Sequence, residues 1–458
     1  QRAREASPRH FHSPHGGMRV QEGGRSMDPR AIGSPPCVQR IGEGTSAEVT
    51  AASRVCTVAH AVQELVLNSI DAGATCIEVK LNLPCHRFSV SDNGSGIHHE
   101  ELRTLVGTAQ ATSKAQTLEG MRTAPTHGLR GEALRCVALT SMLEVQSRCS
   151  GASSTYAKVV RGGQTLHFGL AKPLTCPGTV VTVRDAFFRW PVRRRAMNPP
   201  AEAARIKEAL VRVALLEHHV ALSLLDQGAG SGPRQLIRAA PSRSMAGAFQ
   251  RLFDSDKLAR TSKIDFTWGG AVAGPPASPA GWSGGGSGGG GGSGKPSFGQ
   301  DGMEELGPEV YGTAGTPGFR LSGYLSPPAT AACHWSKELQ IVYVNRRPLR
   351  RLGFLQRTIH NAFQPCLSLL ASGGARNRAH NSSSGQRQEL FPVFVLNLEC
   401  PPEDVDVLLE PDKAALVEFK DAQGAKSTVI AMLLAFLGRF PHAVPTSVMR
   451  DLRTALHK

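Results

Sequence analysis

The sequence lacks paired cysteines, long apolar runs and a signal-peptide pattern, and each absence argues against a class of protein. Its ten cysteines include no CxxC pair, which argues against a zinc module and against a disulfide framework. The longest apolar run near the end, Val429 to Leu437, is too short to cross a bilayer. The first residues lack the charged-then-apolar order of a secretory signal. We therefore expect a soluble, intracellular protein that has no membrane partner.

Acidic residues are also scarce relative to basic ones. The chain has 37 Asp and Glu against 52 Lys and Arg, which gives a formal net charge of +15. A positive balance of this size favours a polyanionic partner such as nucleic acid, although charge alone indicates no reaction. The 40% hydrophobic content is low for a globular chain, but the 49 Gly and 30 Pro are unevenly placed. We therefore expect well-packed domains that are separated or interrupted by flexible segments.

The distribution of these residues predicts the domain organisation of the 458-residue chain. Residues 1–40 have no apolar period and read as a disordered tail. Helix and strand patterns alternate over 41–200, which predicts a first α/β domain. A second domain is expected over 201–440, with a Gly-rich insertion at 270–318 and a basic loop insertion at 371–387, and then a C-terminal extension over 441–458. Within the second domain we predict strands at 339–345 and 391–399 and helices at 352–363 and 428–440.

The run AHAVQELVLNSIDAGATCIEV predicts a helix with a polar stripe. Glu64, Asn68 and Asp71 are spaced i, i+4 and i+7 and share one side of the helix, while apolar residues share the other. Gly73 can adopt the left-handed backbone conformation that ends a helix, and a strand with alternating apolar and polar residues follows from Ile77 to Leu83. A solvated helix face would give the same pattern. The stripe becomes informative only together with the segments that follow it.

The segment FSVSDNGSGI places a carboxylate at the end of a short strand. Asp92 could accept a hydrogen bond from an exocyclic amine such as that of adenine, and Gly94 and Gly96 permit close approach of a ligand to the backbone. An ordinary hairpin loop would look similar. Paired with the polar helix, however, the segment indicates a nucleotide site.

Two further segments carry groups suited to phosphates, ATSK and HGLRGEAL. Gly128 and Gly131 precede a helix, whose free backbone N–H groups would bind an anion, and Lys114 and Arg130 add positive charge. Thr179 opens the strand TVVTV and offers one hydroxyl to a pocket wall. A purely structural β-branched residue is an equally good interpretation of Thr179.

These segments occur in a fixed order along the chain: ELVLNSIDAGA, DNGSGI, ATSK, HGLRGEAL and GTVVTVRDAFFRWPVRRR. The ordered set is specific in a way that no single motif is. It resembles the MutL branch of the GHKL ATPases over roughly residues 41 to 440, and it is most similar to the eukaryotic MutL homologue three group. The resemblance implies an α+β protein, with a Bergerat (GHKL) ATPase α/β sandwich followed by a ribosomal-protein-S5-domain-2-like α/β domain.

The resemblance also implies roles for individual residues. Glu64 would be the general base, Asn68 would hold Mg²⁺, Asp71 would line the nucleotide pocket, Asp92 would bind adenine, and Thr179 would support Asp92. Lys413 would reach the terminal phosphate from the second domain, and the less favoured alternative is an exposed loop lysine. The remaining residues that the resemblance places around the nucleotide are Gly94, Gly96, Thr112, Ser113, Lys114, Gly128, Leu129, Arg130, Gly131 and Glu132.

A cationic groove for DNA is implied in the second domain, at Arg346, Arg347, Arg350 and Arg351. A run of arginines can also be a solvated face, but the net charge favours sequence-independent contacts with the phosphate backbone. The implied partners are double-stranded DNA, another MutL homologue in a heterodimer, expected to be MutL homologue one, and a MutS-type mismatch recognition complex.

The function implied by the resemblance is that of a nuclear DNA mismatch repair ATPase. ATP and Mg²⁺ would drive lid closure, N-terminal dimerisation and DNA engagement, and a role in meiotic recombination stays open. The residues contain no DQHAxxE-like metal motif, so we expect no endonuclease domain in this chain. The alternative is a nonhydrolytic module in which nucleotide binding alone regulates DNA or partner binding. A GHKL sensor kinase is disfavoured because no membrane span or phospho-acceptor helix is visible.

Overall fold

The protein combines two mixed β-sheets with helices, as a computed structural model shows. The structure describes residues 41–108, 133–228, 232–253, 260–268, 318–349, 353–373, 389–406 and 417–457. Those from 44 onward belong to one compact unit. The helices in the described ranges are α1 Glu43–Arg54, α2 Val58–Asp71, α3 His99–Thr104, α4 Ala133–Thr140, α5 Pro191–Ala196, α6 Pro199–Leu216, α7 Met245–Phe253, α8 Gly353–Gly373, α9 Ala422–Leu437 and α10 Thr446–Leu456.

The strands form one sheet of eight, one of five and a pair. Those of the eight-stranded sheet are β1 Cys76–Asn82, β2 Arg87–Asp92, β3 Met142–Arg148, β4 Tyr156–Arg161, β5 Gln164–Leu170, β6 Gly178–Arg184, β7 Ala221–Asp226 and β8 Arg234–Ala239. Those of the five-stranded sheet and the pair are β9 Ser262–Trp268, β10 Phe319–Leu325, β11 Gln340–Val344, β12 Arg347–Leu349, β13 Phe394–Glu399, β14 Val405–Asp406 and β15 Glu418–Phe419.

The first sheet has the order β5-β4-β3-β6-β2-β1-β7-β8. All of its neighbours are antiparallel except β1 and β7, which run parallel with Cys76 opposite Ala221. Its two last strands lie after residue 200, where we predicted the first domain to end. Sheet pairing therefore assigns residues 221–239 to the first sheet, because β7 extends the edge that β1 would otherwise leave open. The helices and mixed sheets confirm the predicted α+β class.

Helix α2 forms and ends as its sequence predicts. The Thr57 side chain accepts a hydrogen bond from the His60 backbone N–H at 3.1 Å and so caps the N-terminus. Val58, Val62 and Leu65 are buried on the apolar side. The chain leaves the helix through Gly73, which has the left-handed φ of 74°. The polar stripe is thus fixed on a helix that packs against the first sheet.

A second contact fixes the N-terminus of α2 from a distant part of the chain. Glu202, in the first turn of α6, is 3% exposed, and its Oε1 accepts the Ala59 backbone N–H at 2.8 Å. Its other oxygen accepts from Arg205 at 2.9 Å. A carboxylate at a helix N-terminus satisfies a free N–H group and interacts favourably with the helix dipole. Glu202 thereby joins α6 to the helix that carries Glu64.

The five-stranded sheet lies between two apolar clusters. Residues Ile341 and Tyr343 of β11 belong to the cluster that contains α2, α6 and the first sheet. Val342 and Val344 belong to the other cluster, with α8, α9 and α10. Successive side chains of a strand point to opposite faces, so a strand buried on both faces shows no polar alternation. This explains the continuous apolar run LQIVYV that predicted the strand.

The described part of the chain contains no helix long and apolar enough to cross a membrane.

Replacement of Glu202 by alanine should lower the free energy of unfolding by about 2 kcal/mol, because it removes a charge-assisted hydrogen bond and leaves a buried N–H without a partner. Glu208→Ala is the matched control on the same helix: its carboxylate is 60% exposed and pairs with Arg212, so we expect a loss of about 0.5 kcal/mol or less. Urea unfolding of both variants measures the difference. Equal losses would show that the Glu202 contact does not stabilise α2.

Candidate nucleotide-binding site

The carboxylate of Asp92 joins three elements at one end of the first sheet. Asp92 ends β2 and is the register partner of Thr179 in β6. Its Oδ2 accepts a hydrogen bond from Ser69 Oγ of α2 at 2.8 Å. Its Oδ1 accepts from the backbone N–H groups of Gly94 at 3.0 Å and Thr179 at 3.2 Å. The side chain is therefore held in one orientation by α2, by its own turn and by β6.

Thr179 contacts the site through its backbone N–H and places its hydroxyl elsewhere. Thr179 Oγ1 lies 3.0 Å from Ser147 Oγ, and Ser147 Oγ is also 3.0 Å from the Gly178 carbonyl oxygen. The Ile97 backbone N–H donates to Ser147 Oγ at 2.8 Å. Thr179 and Ser147 are both buried. Together they join β3 and β6 to the loop that follows Asp92.

The loop DNGSG packs directly on the C-terminal end of α2. Asn93 Oδ1 accepts from the backbone N–H groups of Thr75 at 2.9 Å and Cys76 at 2.8 Å. The Ser95 N–H donates to the Ala72 carbonyl at 2.9 Å. These bonds bring the polar helix and the glycine loop together, as expected if both line one site.

Two glycines of the site cannot be replaced without movement of the backbone. Gly96 has a φ of 69°, and a Cβ at this position would clash with the carbonyl oxygen of Arg148. At Gly94, a Cβ would lie 2.8 Å from the Ala72 carbonyl oxygen. Both glycines thus lie close to neighbouring backbone, and the approach of a ligand to them stays a prediction.

The polar stripe of α2 is largely enclosed. Glu64 is 9% exposed, and its Oε1 lies 3.8 Å from Nε2 of the buried His60. Asn68 and Asp71 are partly buried. A carboxylate in such surroundings, with oxygen-bearing side chains one and two turns further along the helix, suits the binding of water and of a hard cation. Glu64, Asn68 and Asp71 therefore form one row on α2, the helix whose Ser69 contacts Asp92.

The arginines predicted to contact DNA have different surroundings from each other. Arg346 is mostly exposed and its Nη2 lies 3.0 Å from Glu217 Oε1. Arg347 is partly buried. Burial lowers the pKa of the Arg347 guanidinium, while the negative charges of Asp71 and Glu64 act to raise it. Of the two arginines, only Arg346 is thus exposed.

Several predicted site residues lie outside the described residues, and their roles stay predictions: Thr112, Ser113, Lys114, Gly128, Leu129, Arg130, Gly131, Glu132, Arg350, Arg351 and Lys413.

The sequence interpretation missed residues that hold the elements of the site in place through hydrogen bonds. Asn93 was treated only as part of a turn, and Ser147 was not recognised. A signal for Ser147 exists: it follows Leu143 and Val145 on the buried face of β3, where a hydroxyl requires a partner. The Glu202 contact had no local signal, because its partner lies 143 residues away.

Comparison with known proteins identifies the same region. The family model described as histidine kinase-, DNA gyrase B- and HSP90-like ATPase matches residues 56–161. The chain is 27% identical over 377 residues to the human DNA mismatch repair protein Mlh3, and this match covers 80% of the chain and 22% of Mlh3. It is 28% identical over 378 residues to the DNA mismatch repair protein MutL of Neisseria meningitidis serogroup A, and this match covers 82% of the chain and 45% of that MutL.

A solved structure shares the fold. The crystal structure of the N-terminal domain of a DNA repair protein superposes with a TM-score of 0.61 at 20% identity, and the match covers 87% of this chain and 99% of that one. The chain spans less than half the length of either mismatch repair protein.

The close approach at Gly96 can be separated from the cost of its left-handed backbone. Gly151 has a similar φ of 79° but open space around it, so Gly151→Ala should cost about 1 kcal/mol of stability. Gly96→Ala should cost about 2 kcal/mol more, because the added methyl group clashes with fixed backbone. Denaturant unfolding of both variants gives the two values. If the two variants lose the same stability, the loop backbone shifts to accommodate the methyl group at position 96 with no further loss of stability.

Proposed function

Because the chain belongs to the MutL family of GHKL ATPases and is similar to its MutL homologue three members, we propose that it binds and slowly hydrolyses ATP in DNA mismatch repair. The observation that carries the proposal is the Asp92 carboxylate, which is held by hydrogen bonds from its own turn, from β6 and from Ser69 of α2, the helix that also carries Glu64, Asn68 and Asp71. Strand β2 thus carries an acceptor for a base, and the helix α2 that contacts it carries a row of oxygen ligands.

Asp92 is suited to recognise adenine. A carboxylate has about four acceptor positions, and Ser69, Gly94 and Thr179 occupy three of them. The remaining position accepts the exocyclic amine of the base. Because the three protein donors fix the carboxylate in advance, it requires little reorganisation on binding.

Glu64 is suited to act as the general base. Phosphoryl transfer to water depends mainly on placement of the water and on stabilisation of charge. The Glu64 carboxylate is enclosed beside His60 on a packed helix, so it orients a water molecule with little freedom of its own. Asn68, one turn further on, offers an oxygen ligand for Mg²⁺, which when bound neutralises phosphate charge.

The finer steps follow the family pattern. Residues 112–114 and 128–132 close over the phosphates, and Lys413 reaches the terminal phosphate. Closure orders the N-terminal face, pairs it with another MutL homologue, which we propose is MutL homologue one, and engages double-stranded DNA downstream of a MutS-type complex in the nucleus. Hydrolysis then resets the protein.

Arg346 remains a candidate for DNA contact. Its side chain is 60% exposed, and the chain carries a net charge of +15. Arg347 differs, because its guanidinium is partly buried near carboxylates. We therefore assign phosphate contact to Arg346 and not to Arg347.

Glu64→Ala should abolish ATP hydrolysis and leave ATP binding unchanged, because it removes the base and not the adenine contact. Asp92→Asn should abolish binding itself, since an amide changes the donors and acceptors that the base meets. Phosphate release and titration with a nonhydrolysable ATP analogue in Mg²⁺ measure the two properties. Glu78→Ala, at a surface pair with Lys80, is the control and should retain both.

Hydrolysis that survives Glu64→Ala would exclude Glu64 as the base. Binding without hydrolysis in the unaltered protein would favour the nonhydrolytic module instead.

Arg346→Gln should weaken duplex binding and reduce the slope of log affinity against log salt by about one, because one phosphate contact is lost. Glutamine keeps an N–H donor for Glu217. The control is Arg234→Gln, an exposed arginine of β8 at the end of the first sheet. Fluorescence anisotropy with a labelled duplex at several salt concentrations gives both slopes, and an unchanged slope for Arg346→Gln would defeat this placement.

A further inference from the structure

The backbone of Arg346 is held in place by the neighbouring strand β13. Asn345 and Arg346 form the two-residue turn between β11 and β12, with φ values of 47° and 61°, as in the turns that suit strand twist. The Asn345 backbone N–H donates to the Leu398 carbonyl oxygen at 2.9 Å. The Arg346 backbone N–H donates to Asn397 Oδ1 at 3.0 Å. The point from which the Arg346 side chain extends is therefore fixed relative to the second sheet.

The carboxylate that pairs with Arg346 is held by a different element. Glu217 directly follows α6, and its backbone N–H donates to the Val213 carbonyl oxygen at 2.9 Å. Its own carbonyl oxygen accepts from the Val220 backbone N–H at 2.9 Å. Helix α6 packs with the first sheet in one apolar cluster. The Glu217 side chain, which is 8% exposed, is therefore fixed relative to the first sheet.

The end of α6 and the hairpin of β11 and β12 are docked against each other. Tyr343 of β11 is fully buried, and its Oη donates to the Arg212 carbonyl oxygen at 2.7 Å. Arg346 Nη2 lies 3.0 Å from Glu217 Oε1. The other oxygen of Glu217, Oε2, lies 3.8 Å from Nδ1 of the exposed His219. Because Tyr343 fixes the hairpin on α6, the side chains of Arg346 and Glu217 start from positions within reach of each other.

The guanidinium of Arg346 is anchored on its inner side and open on its outer side. A guanidinium carries five N–H donors in a planar fork, and Nη2 makes the hydrogen bond to Glu217. The side chain is nevertheless 60% exposed, so other donors face solvent. Movement of Arg346 away from Glu217 would take positive charge from a buried carboxylate, which is costly. Arg346 has therefore already lost much of the rotamer freedom that an unrestrained arginine loses when it binds an anion.

We propose that Glu217 is a positioning residue for DNA binding: it holds the Arg346 guanidinium so that the outer donors meet a phosphate of the duplex backbone. This inference rests on the DNA contact proposed for Arg346 and adds the residue that orients it. The charge of Glu217 also repels a phosphate, but the guanidinium would separate the two anions. Near the protein surface, water and salt weaken their repulsion. The orientation of the donors is therefore the larger effect.

The test removes the carboxylate of Glu217 in two ways and measures duplex binding by fluorescence anisotropy at several salt concentrations. Glu217→Ala removes the acceptor, so the affinity should fall on the order of threefold to tenfold, and the slope of log affinity against log salt should decrease by about one. Glu217→Gln keeps an oxygen acceptor for Nη2, so it should bind at least as tightly as the unaltered chain. Glu208→Ala, which removes the same charge from an exposed position on α6, is the matched control and should keep the slope.

A second variant leaves Glu217 in place and does not depend on how well Glu217→Ala folds. Lysine keeps the charge of Arg346 without the planar fork, so Arg346→Lys cannot face both anions in the same way, and its slope should also decrease. An unchanged slope in Arg346→Lys, or duplex binding by Glu217→Ala that is equal to or tighter than that of the unaltered chain, overturns the inference. Tighter binding would show that the carboxylate opposes DNA.

Thermal unfolding and titration with a nonhydrolysable ATP analogue separate positioning from folding. Glu217→Ala should bind the analogue as the unaltered chain does, and a loss of duplex binding that only follows the folded fraction overturns the inference. If Arg346→Gln lowers the slope and Glu217→Ala does not, the role of Glu217 alone fails. If Arg346→Gln leaves the slope unchanged, the DNA contact proposed for Arg346 fails and the inference fails with it.

Discussion

The site depends on the fixed orientation of one carboxylate. Asp92 receives hydrogen bonds from a helix side chain, from its own turn and from the neighbouring strand. Each donor belongs to an element that is itself held by other contacts: Ser69 by the buried face of α2, Thr179 by Ser147, and Gly94 by close packing on Ala72. A change in any of the three would therefore alter the acceptor that we assign to adenine.

Helix α2 connects this acceptor to the remainder of the molecule. Glu202 satisfies its N-terminus, and the glycine loop packs on its C-terminal end. The helix is thus constrained by residues that come before, within and long after it in the sequence.

Local patterns were sufficient for much of the fold. Alternation of Ile77, Val79 and Leu81 located β1, Gly73 marked the end of α2, and the unbroken apolar run located β11. Periodicity fails where a contact joins distant residues. Glu202 looks like an ordinary charged residue in the sequence, because nothing near it shows that α2 is its neighbour. The family resemblance located Glu64, Asn68 and Asp92, and their chemical roles stay predictions.

The parallel pairing of β1 with β7 has a practical consequence for work with pieces of this chain. The two strands are separated by five others in sequence, and α6 precedes β7. A recombinant fragment that stopped at residue 200 would expose the outer backbone edge of Cys76–Leu81 in a strand with a strongly apolar face. Such open edges promote association between chains. A fragment that contains the first sheet and is intended to stay monomeric should therefore extend past Ala239.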